Sequence, residues 1–267
     1  VQKNYARGMA LACQYMEETG WKPLFRSVSA PFVDWIKEQC PQMQFAEKRE
    51  NFDYIYTSEA MITLKGKKLH GKRNHINKLK KEHPDFQYEP LTKDHYEECM
   101  ALYDLWQMDH KEPTITQYDE RSSVERALLN LEELGLTGGI IRIDGVLKAF
   151  TVGEQTLPWM CQIHIEKAEK EIDGLYPTMS QQYASHACTN AQWINREEDM
   201  GLEGLRKAKL SYFPARMVEK YDVFPAVAVE KAEVSEKKDE EKAADKKTKK
   251  AKRENPPQGC APGTGQK

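Results

Sequence analysis

The stretch that decides the fold runs Ile194-Asn195-Arg196-Glu197-Glu198-Asp199-Met200-Gly201 and continues as Gly204-Leu205-Arg206-Lys207-Ala208-Lys209-Leu210-Ser211-Tyr212-Phe213-Pro214. An apolar pair, Trp193-Ile194, precedes five amide or charged side chains, and a glycine then interrupts the chain. This order predicts a buried strand that emerges into a polar cleft, turns, and leads into a helix rich in cations. We therefore expect a functional site where this strand ends.

Two structural interpretations compete with the site. A surface turn with a solvated charge run is the better interpretation of any single residue in the string. An ion-pair network could also join the strand to the helix, with Glu197 or Glu198 bound to Arg206 or Lys207. The complete string favours a site, because five polar residues in a row do not alternate with apolar ones.

The elements before this stretch predict a mixed α/β domain with a mostly antiparallel sheet. Asp144-Gly145 between two apolar runs is a strong hairpin signal. Met160–Lys167 reads as the next strand, with Gln162, His164 and Glu166 on one face. Over residues 86–229 the order is strand, helix, helix, hairpin, strand, helix, strand, helix, strand, which predicts helices packed on the faces of the sheet.

A basic segment precedes this domain. Between Lys65 and Lys81 there are many Lys and Arg residues and no acid, while Leu69, Ile76 and Leu79 form a thin apolar stripe. A solvated helix and a phosphate-binding surface are equally good interpretations. The candidate phosphate-binding or tRNA-binding side chains are Lys67, Lys68, Lys72, Arg73, Asn74 and Asn77.

Composition excludes several classes of protein. The net charge is −2 over 267 residues, which points to no polyanionic partner for the molecule as a whole. Six scattered cysteines without a CxxC pair predict reduced thiols in a cytoplasmic protein and no zinc site. No apolar run approaches the roughly 20 residues of a membrane helix. The chain enters a helical pattern almost at once, so we expect an N-terminal part to be missing.

The motifs resemble those of a family of uncharacterised bacterial proteins grouped with the C-terminal domain of phosphatidylglycerol lysyltransferase. The matching segments are residues 64–77, 164–168, 194–201 and 204–221. The end of the chain is similar to that enzyme's closing motif, which contains Leu-Arg, an aromatic residue, Lys, an aromatic residue and Pro. The order of elements also resembles the GNAT-type N-acyltransferase fold, so the resemblance implies a GNAT-like α/β (α+β) protein.

The resemblance also implies a domain organisation like that of Fem-type aminoacyltransferases, with two GNAT-like copies in tandem. Residues 1–62 would be the remainder of a truncated first copy, and residues 63–84 a basic linker helix. Residues 85–229 would form the second copy. Residues 230–267 are so rich in charged and small residues that we expect a disordered tail.

The chemistry implied by the resemblance is transfer of an aminoacyl group from charged tRNA to an amine or hydroxyl. Such a site must orient the acceptor, take up its proton and stabilise the oxyanion. Lys209 is the first candidate for the cation near the carbonyl and Arg196 the second, while Glu166 or Asp199 would accept the proton. The candidate substrate-binding residues are His164, Lys167, Tyr176, Asn195, Glu197, Glu198, Arg206 and Tyr212.

Coenzyme A is a poor candidate for the donor. GNAT enzymes hold its pyrophosphate on a Gly-rich turn, but here the link at residues 168–177 has one glycine and three acids in the stretch before its helix. We therefore expect no cofactor and no metal. The partners would be charged tRNA and a small-molecule, peptide or lipid-headgroup acceptor. A conventional acyl-CoA N-acyltransferase and a non-catalytic module that binds a phosphorylated ligand remain alternatives.

Overall fold

The computed structural model of the chain describes residues 4–108 and 115–225. Within these residues the helices are α1 Tyr5–Glu18, α2 Ala30–Gln39, α3 Ser58–Thr63, α4 His70–Glu82, α5 Tyr96–Met108, α6 Ile115–Leu129, α7 Leu175–Ala187 and α8 Glu203–Leu210. The strands are β1 Phe25–Ser29, β2 Met43–Glu47, β3 Asp53–Thr57, β4 Gln87–Pro90, β5 Thr137–Ile143, β6 Val146–Leu157, β7 Met160–Ala168, β8 Trp193–Asn195, β9 Arg216–Val218 and β10 Lys220–Pro225.

The chain divides into two compact units, each with its own sheet. The smaller unit consists of the described parts of Val1–Ala46 and Tyr221–Lys267, and its three strands lie in the order β1-β10-β2. Its core joins Met9 of α1 and Ile36 of α2 to Val223 of β10. These side chains follow the helical and strand spacing of the sequence, so their apolar faces meet in one small core.

The larger unit, Glu47–Lys220, contains a seven-stranded sheet in the order β4-β5-β6-β7-β8-β3-β9. Every neighbouring pair is antiparallel except β7 and β8, which run parallel. Helix α7 makes the crossover between those two strands, as a parallel pair requires. This mixed, mostly antiparallel sheet flanked by helices confirms the predicted α/β architecture.

The hairpin between β5 and β6 turns as predicted at Asp144-Gly145. Both residues have positive φ angles, 52° and 77°, which matches the right-handed twist of the strands. One apolar core lies on each face of the sheet. Helices α5 and α6 cover Phe150 on one face, while α3, α4 and α7 cover Tyr54 and Ile141 on the other.

Helix α4 docks by the narrow stripe that the sequence predicts. Leu69, Ile76 and Leu79 are all buried in the core shared with α7. The helix passes so close to the start of α7 that a Cβ at Gly174 would lie 2.2 Å from the carbonyl oxygen of His75. Gly174 also has a φ of 86°, so glycine satisfies both the close approach and the backbone conformation.

The compact units do not follow the predicted boundaries at residues 62 and 84. Strand β3 lies inside the larger sheet, because it pairs with β8 on one side and β9 on the other. Helix α4 belongs to the same unit, whereas β10 joins the smaller sheet. The tandem origin of the chain stays a prediction, and the predicted tail at 230–267 lies outside the described residues.

The prediction of six reduced cysteines is wrong for two of them. Cys161 of β7 and Cys188, just after α7, form a disulfide with their Cα atoms 5.7 Å apart. Both are buried in the core on the α7 face of the sheet. Sequence spacing hides this pair, because 27 residues separate the two cysteines and only the crossover through α7 brings them together.

Candidate active site

The candidate site lies where the parallel strands β7 and β8 separate. They pair only from Met160↔Trp193 to Gln162↔Asn195. Beyond that point β7 continues beside β6 alone as far as Ala168. The chain after β8 stays with β3 instead, since the Arg196 amide donates to the Tyr54 carbonyl at 3.0 Å. The strands therefore open into a cleft, and polar side chains bridge it.

An ion pair between Glu166 and Arg196 crosses this cleft. Arg196 Nη2 donates to Glu166 Oε1 at 3.0 Å, and their side chains are only 12% and 10% exposed. Ser180 Oγ lies 2.9 Å from both carboxylate oxygens of Glu166. Strand β7, the turn after β8 and helix α7 thus each contribute one side chain, and together they fix the orientation of the carboxylate.

The guanidinium of Arg196 keeps one donor unused. Its Nη1 atom is buried and has no hydrogen-bond partner among the described residues. Burial opposes the charge, but the attraction of Glu166 outweighs it and the pKa of Arg196 lies above its ordinary value. A buried, charged and unpaired N–H group is costly unless a ligand satisfies it. This donor is therefore well suited to a bound anion or oxyanion.

Two cations flank the ring of Tyr212, which is 5% exposed. The Arg196 guanidinium lies 4.9 Å from the ring centroid and the Lys72 ammonium 4.2 Å from it. Burial raises the pKa of the Tyr212 hydroxyl, although the charge of Arg196 opposes the shift. Tyr212 therefore stays neutral and serves as a platform for the cations.

A second bridge across the cleft is made by Glu197. Its Oε1 accepts hydrogen bonds from Gln162 Nε2 at 2.8 Å and from His164 Nδ1 at 2.7 Å. The bond to Glu197 raises the pKa of His164; burial opposes this shift, and a second carboxylate, Glu154 at 3.1 Å, supports it. Glu197 has a φ of 56°, and Asn195 Oδ1 accepts its amide at 2.7 Å. This left-handed turn is what directs both Arg196 and Glu197 towards β7.

Asn195 and Glu198 support the same turn from the side of β3. Asn195 Nδ2 donates to Asp53 at 3.1 Å, and Lys220 Nζ binds that carboxylate at 2.6 Å. Glu198 lies 3.8 Å from Lys220. These contacts hold the backbone in place and leave Asn195 buried, so neither residue is placed for substrate.

Asp199 is a poor proton acceptor in this structure. Its carboxylate is fully buried and accepts two bonds from Arg206, at 2.8 and 2.9 Å, and one from Tyr54 at 2.5 Å. Arg49 lies 3.3 Å away. Burial alone would raise the pKa of Asp199, but the bonds from Arg206 and Tyr54 outweigh burial and hold the pKa well below its ordinary value. Asp199 and Arg206 therefore brace the turn.

Lys209 ties the helix α8 back to that turn. Its ammonium donates to the carbonyl oxygens of Arg196, at 2.6 Å, and Glu198. Tyr56 in turn donates to the Lys209 carbonyl at 2.8 Å. Burial and the repulsion of Arg196 lower the pKa of Lys209 to about 8. With its donors committed to backbone carbonyls, Lys209 positions Arg196 rather than the substrate.

We expect the stability contribution of Lys209 to depend on pH. Because its folded pKa is about 8, the unfolded chain binds more protons between pH 8 and about 10.4, and stability rises with pH in that window. Unfolding free energies of the wild type and Lys209→Met, measured in urea, should therefore diverge by about 3 kcal/mol from pH 7.5 to pH 10.5 in favour of the wild type. The exposed Lys207→Met is the control; an equal shift there would contradict the assignment.

Lys167 and Tyr176 lie beside the cleft in a separate contact network. The Lys167 ammonium binds Glu120 at 2.8 Å and lies 3.3 Å from the centroid of the Trp106 ring. Burial lowers the pKa of Lys167, and Glu120 opposes the shift. The Trp106 indole donates to the Tyr176 hydroxyl at 3.1 Å. Lys167 is therefore already bound within the protein and is not available as predicted.

The predicted phosphate-binding residues divide into three groups. Lys67, Lys68, Asn74 and Asn77 are exposed. Arg73 is structural, because it donates to the carbonyl oxygens of Leu64 and Gly66. Lys72 is half-buried and points at the site. Lys68 lies 5.3 Å from the centroid of Phe213, next to Tyr212, so this end of the basic segment lies beside the cleft.

The link from β7 to α7 does not resemble a phosphate cradle. Asp173, just before α7, binds His75 at 2.6 Å and Lys78 at 2.8 Å. Pro177 in the first turn has no N–H to offer. The start of α7 therefore presents a carboxylate and the carbonyl oxygen of His75, both of which repel an anion such as a phosphate.

Three contributors escaped sequence reasoning: Ser180, Tyr54 and Tyr56. Ser180 could have been predicted, because it lies four residues after Tyr176 on a predicted helix and shares its face.

A cavity of about 500 Å³ lies away from this site. It is lined in part by Thr57, Ser58 and Gln192, and no predicted site residue borders it. Among the described residues, no group of three or more His, Cys, Asp or Glu is placed to hold a metal ion.

None of the helices in the described ranges is long and apolar enough to cross a membrane.

The chain is similar to several known proteins. It is 36% identical to a conserved protein of unknown function from Bacteroides thetaiotaomicron, with a TM-score of 0.77 over 82% of this chain and 75% of that one. An uncharacterised protein of Mycoplasmoides gallisepticum is 26% identical over 193 residues, 71% of this chain; the match spans 60% of that relative's length.

A more distant structure shares the fold. It is the C-terminal domain of a protein described as a lysylphosphatidylglycerol synthetase from Agrobacterium fabrum, 14% identical, with a TM-score of 0.62 over 84% of this chain and 74% of that one. The family profile described as "Phosphatidylglycerol lysyltransferase, C-terminal" matches residues 2–224. The match covers most of the chain and includes the whole candidate site, so this protein belongs to the phosphatidylglycerol lysyltransferase C-terminal family.

Proposed function

We propose that this protein transfers an aminoacyl or acyl group from an activated donor to an amine or hydroxyl acceptor at the Glu166–Arg196 pair. Family and fold together indicate acyl transfer of the GNAT type. The observation that carries the proposal is the buried Nη1 of Arg196, which has no partner among the described residues. An unused charged donor beside an oriented carboxylate is what a tetrahedral acyl-transfer intermediate requires.

Each side chain has a distinct role in this proposal. Arg196 Nη1 donates to the oxygen that becomes negative in the intermediate. Glu166 accepts the proton of the attacking amine or hydroxyl, and Ser180 keeps its carboxylate aimed. The first sequence candidate, Lys209, acts through Arg196 by holding its backbone carbonyl.

The donor that we favour is aminoacyl-tRNA. The matched family is named after a lysyltransferase. Lys67 and Lys68 are exposed at the start of the basic segment, where Lys68 lies 5.3 Å from the centroid of Phe213, the residue after Tyr212. Cations beside an acyl-transfer site attract the phosphates of a nucleic-acid donor. Asp173 and Pro177 at the start of α7 argue against coenzyme A. A tRNA donor would place the reaction in the cytoplasm.

We expect Lys67→Ala/Lys68→Ala to weaken tRNA binding in a salt-dependent way. Each phosphate contact contributes roughly 0.7–0.9 to the slope of log K against log salt, so losing two should reduce the slope by about 1.5. Binding is measured by fluorescence anisotropy between 50 and 200 mM KCl. Lys80→Ala/Lys81→Ala removes equal charge at the far end of α4 and should leave the slope unchanged; an equal loss there would contradict docking beside the site.

The activity itself is tested with tRNA charged with labelled lysine. We expect label to leave the tRNA and appear in one of three acceptor pools: free amines, peptides, or phospholipid vesicles. Calorimetry with coenzyme A should show no saturable heat. Saturable coenzyme A binding without tRNA binding would indicate that the donor is an acyl-CoA and not aminoacyl-tRNA. Tight tRNA binding without turnover on any pool would favour a non-catalytic binding module.

A further inference from the structure

Lys72 occupies an unusual position for a residue of a basic surface segment. It is the only one of the predicted phosphate-binding cations, among the described residues, whose ammonium is directed at the Arg196–Tyr212 pair. The side chain is half-buried and lies over the Tyr212 ring rather than in an ion pair with a described carboxylate. By contrast, Lys78 on the same helix is bound to Asp173 at 2.8 Å. Lys72 therefore brings a primary amine, unpaired by any described carboxylate, to the proposed reaction centre.

We propose that Lys72 is itself an acyl acceptor, so that the protein can acylate its own Lys72 at the site built from Arg196 and Glu166. The proposal rests on the proposed function, because it uses the same oxyanion donor and the same proton acceptor. It adds a modification site and its chemistry: an activated ester or thioester donor and an Nε-acyl-lysine product.

The chemistry balances without any further reactant. The neutral Nζ of Lys72 attacks the carbonyl carbon of the ester, a C–N bond forms and the C–O ester bond breaks. One amine proton passes to Glu166 and then to the departing oxygen, while Arg196 Nη1 binds the carbonyl oxygen in between. The products are an amide on Lys72 and the free alcohol of the donor, and nothing is oxidised or reduced.

The electrostatic surroundings favour the neutral amine that this step needs. Burial and the repulsion of Arg196 lower the pKa of Lys72, and the attraction of Glu166 offsets part of the shift. A desolvated lysine next to another cation is a recognised way to make a nucleophilic amine near neutral pH. Lys72 Nζ lies 4.2 Å and the Arg196 guanidinium 4.9 Å from the centroid of the same Tyr212 ring, so the amine and the residue that carries the oxyanion donor lie close together.

The test labels the folded, full-length protein with a limiting amount of N-acetoxysuccinimide at pH 7 and measures acetylation of each lysine by mass spectrometry. This ester is neutral, so the basic segment does not concentrate it by charge. We expect Lys72 to react at least about tenfold faster than the exposed Lys80 on the same helix, a threshold below the roughly 100-fold low end of general-base assistance. Arg196→Met and Glu166→Gln should remove that difference, whereas Arg142→Met, which breaks a comparable ion pair elsewhere, should not.

Rates for Lys72 equal to those for Lys80, or unchanged in Arg196→Met, would overturn the proposal. The Arg196→Lys variant keeps the positive charge at this position. Circular dichroism of each variant checks that a lost difference in acetylation rate between Lys72 and Lys80 is not caused by unfolding. A second arm supplies charged tRNA and seeks the aminoacyl mass on Lys72. A reactive Lys72 with no transfer from tRNA would count against the proposed donor alone; transfer to an external acceptor with an unreactive Lys72 would overturn this inference alone.

Discussion

Arg196→Met should lower the rate of acyl transfer at least about 100-fold, in line with the loss of one oxyanion donor. The substitution keeps a long apolar side chain over Tyr212 but removes the only buried Arg donor, within the described residues, that lacks a partner. The rate is measured as single-turnover loss of labelled lysine from charged tRNA at saturating protein. Donor binding should change little, because the exposed cations of the basic segment remain.

The matched control for this prediction is Arg142→Met. Arg142 also forms a two-pronged pair, with Glu98 at 2.5 and 2.7 Å, and its side chain is 18% exposed against 12% for Arg196. It lies on β5, away from the cleft between β7 and β8. Equal losses of activity in the two variants would show that Arg196 acts only through the fold.

Asp199→Asn should destabilise the larger unit by about 3 kcal/mol at pH 7, the lower end of the cost of breaking a buried ion pair. The amide would leave Arg206 and Arg49 without their carboxylate. Because the folded pKa of Asp199 is far below its unfolded value, this contribution is complete above about pH 4 and is lost as the pH falls further. Urea unfolding at pH 7, 5 and 3 measures it.

Asp173→Asn serves as the control for Asp199, since its carboxylate also binds two bases but is 40% exposed. Exposed pairs contribute about 1 kcal/mol or less. If Asp199→Asn cost no more than Asp173→Asn, the buried network would not be what braces the turn. Activity should fall in Asp199→Asn as well, because Arg196 lies in that turn.

Much of the fold could be predicted from short-range patterns in the sequence. Asp144-Gly145 specified a hairpin, and the stripe of Leu69, Ile76 and Leu79 specified how α4 docks, because turn chemistry and helical spacing act over a few residues. The place of β3 could not be read in this way. The residues of β8 and β9 that pair with β3 lie about 140 and 160 residues further along the chain. Pairing over such a separation leaves no local pattern in the sequence.

The site was predictable in outline and not in its division of roles. The polar stretch after β8 was predicted to form a site, and the parallel pairing of β8 with β7 brings that stretch beside the polar residues of β7. Sequence could not tell which charges are buried. Asp199 and Lys209 were predicted to act on the substrate, yet the positive φ of Glu197 and Met200 folds the charged run inwards and commits both side chains to the turn. The same fold leaves Arg196 with the unused donor.

In the proposed reaction Glu166 accepts the proton and Arg196 stabilises the oxyanion. The most direct measurement is the single-turnover rate of aminoacyl loss from charged tRNA in Glu166→Gln, which keeps the shape of the side chain and one oxygen acceptor but cannot take up the proton. We predict a rate lowered at least about 100-fold, with tRNA affinity close to that of the wild type. The lost ion pair lowers the unfolding midpoint, so the rate is compared at a temperature at which circular dichroism shows both proteins folded. A Glu166→Gln protein that transfers at the wild-type rate would contradict the account.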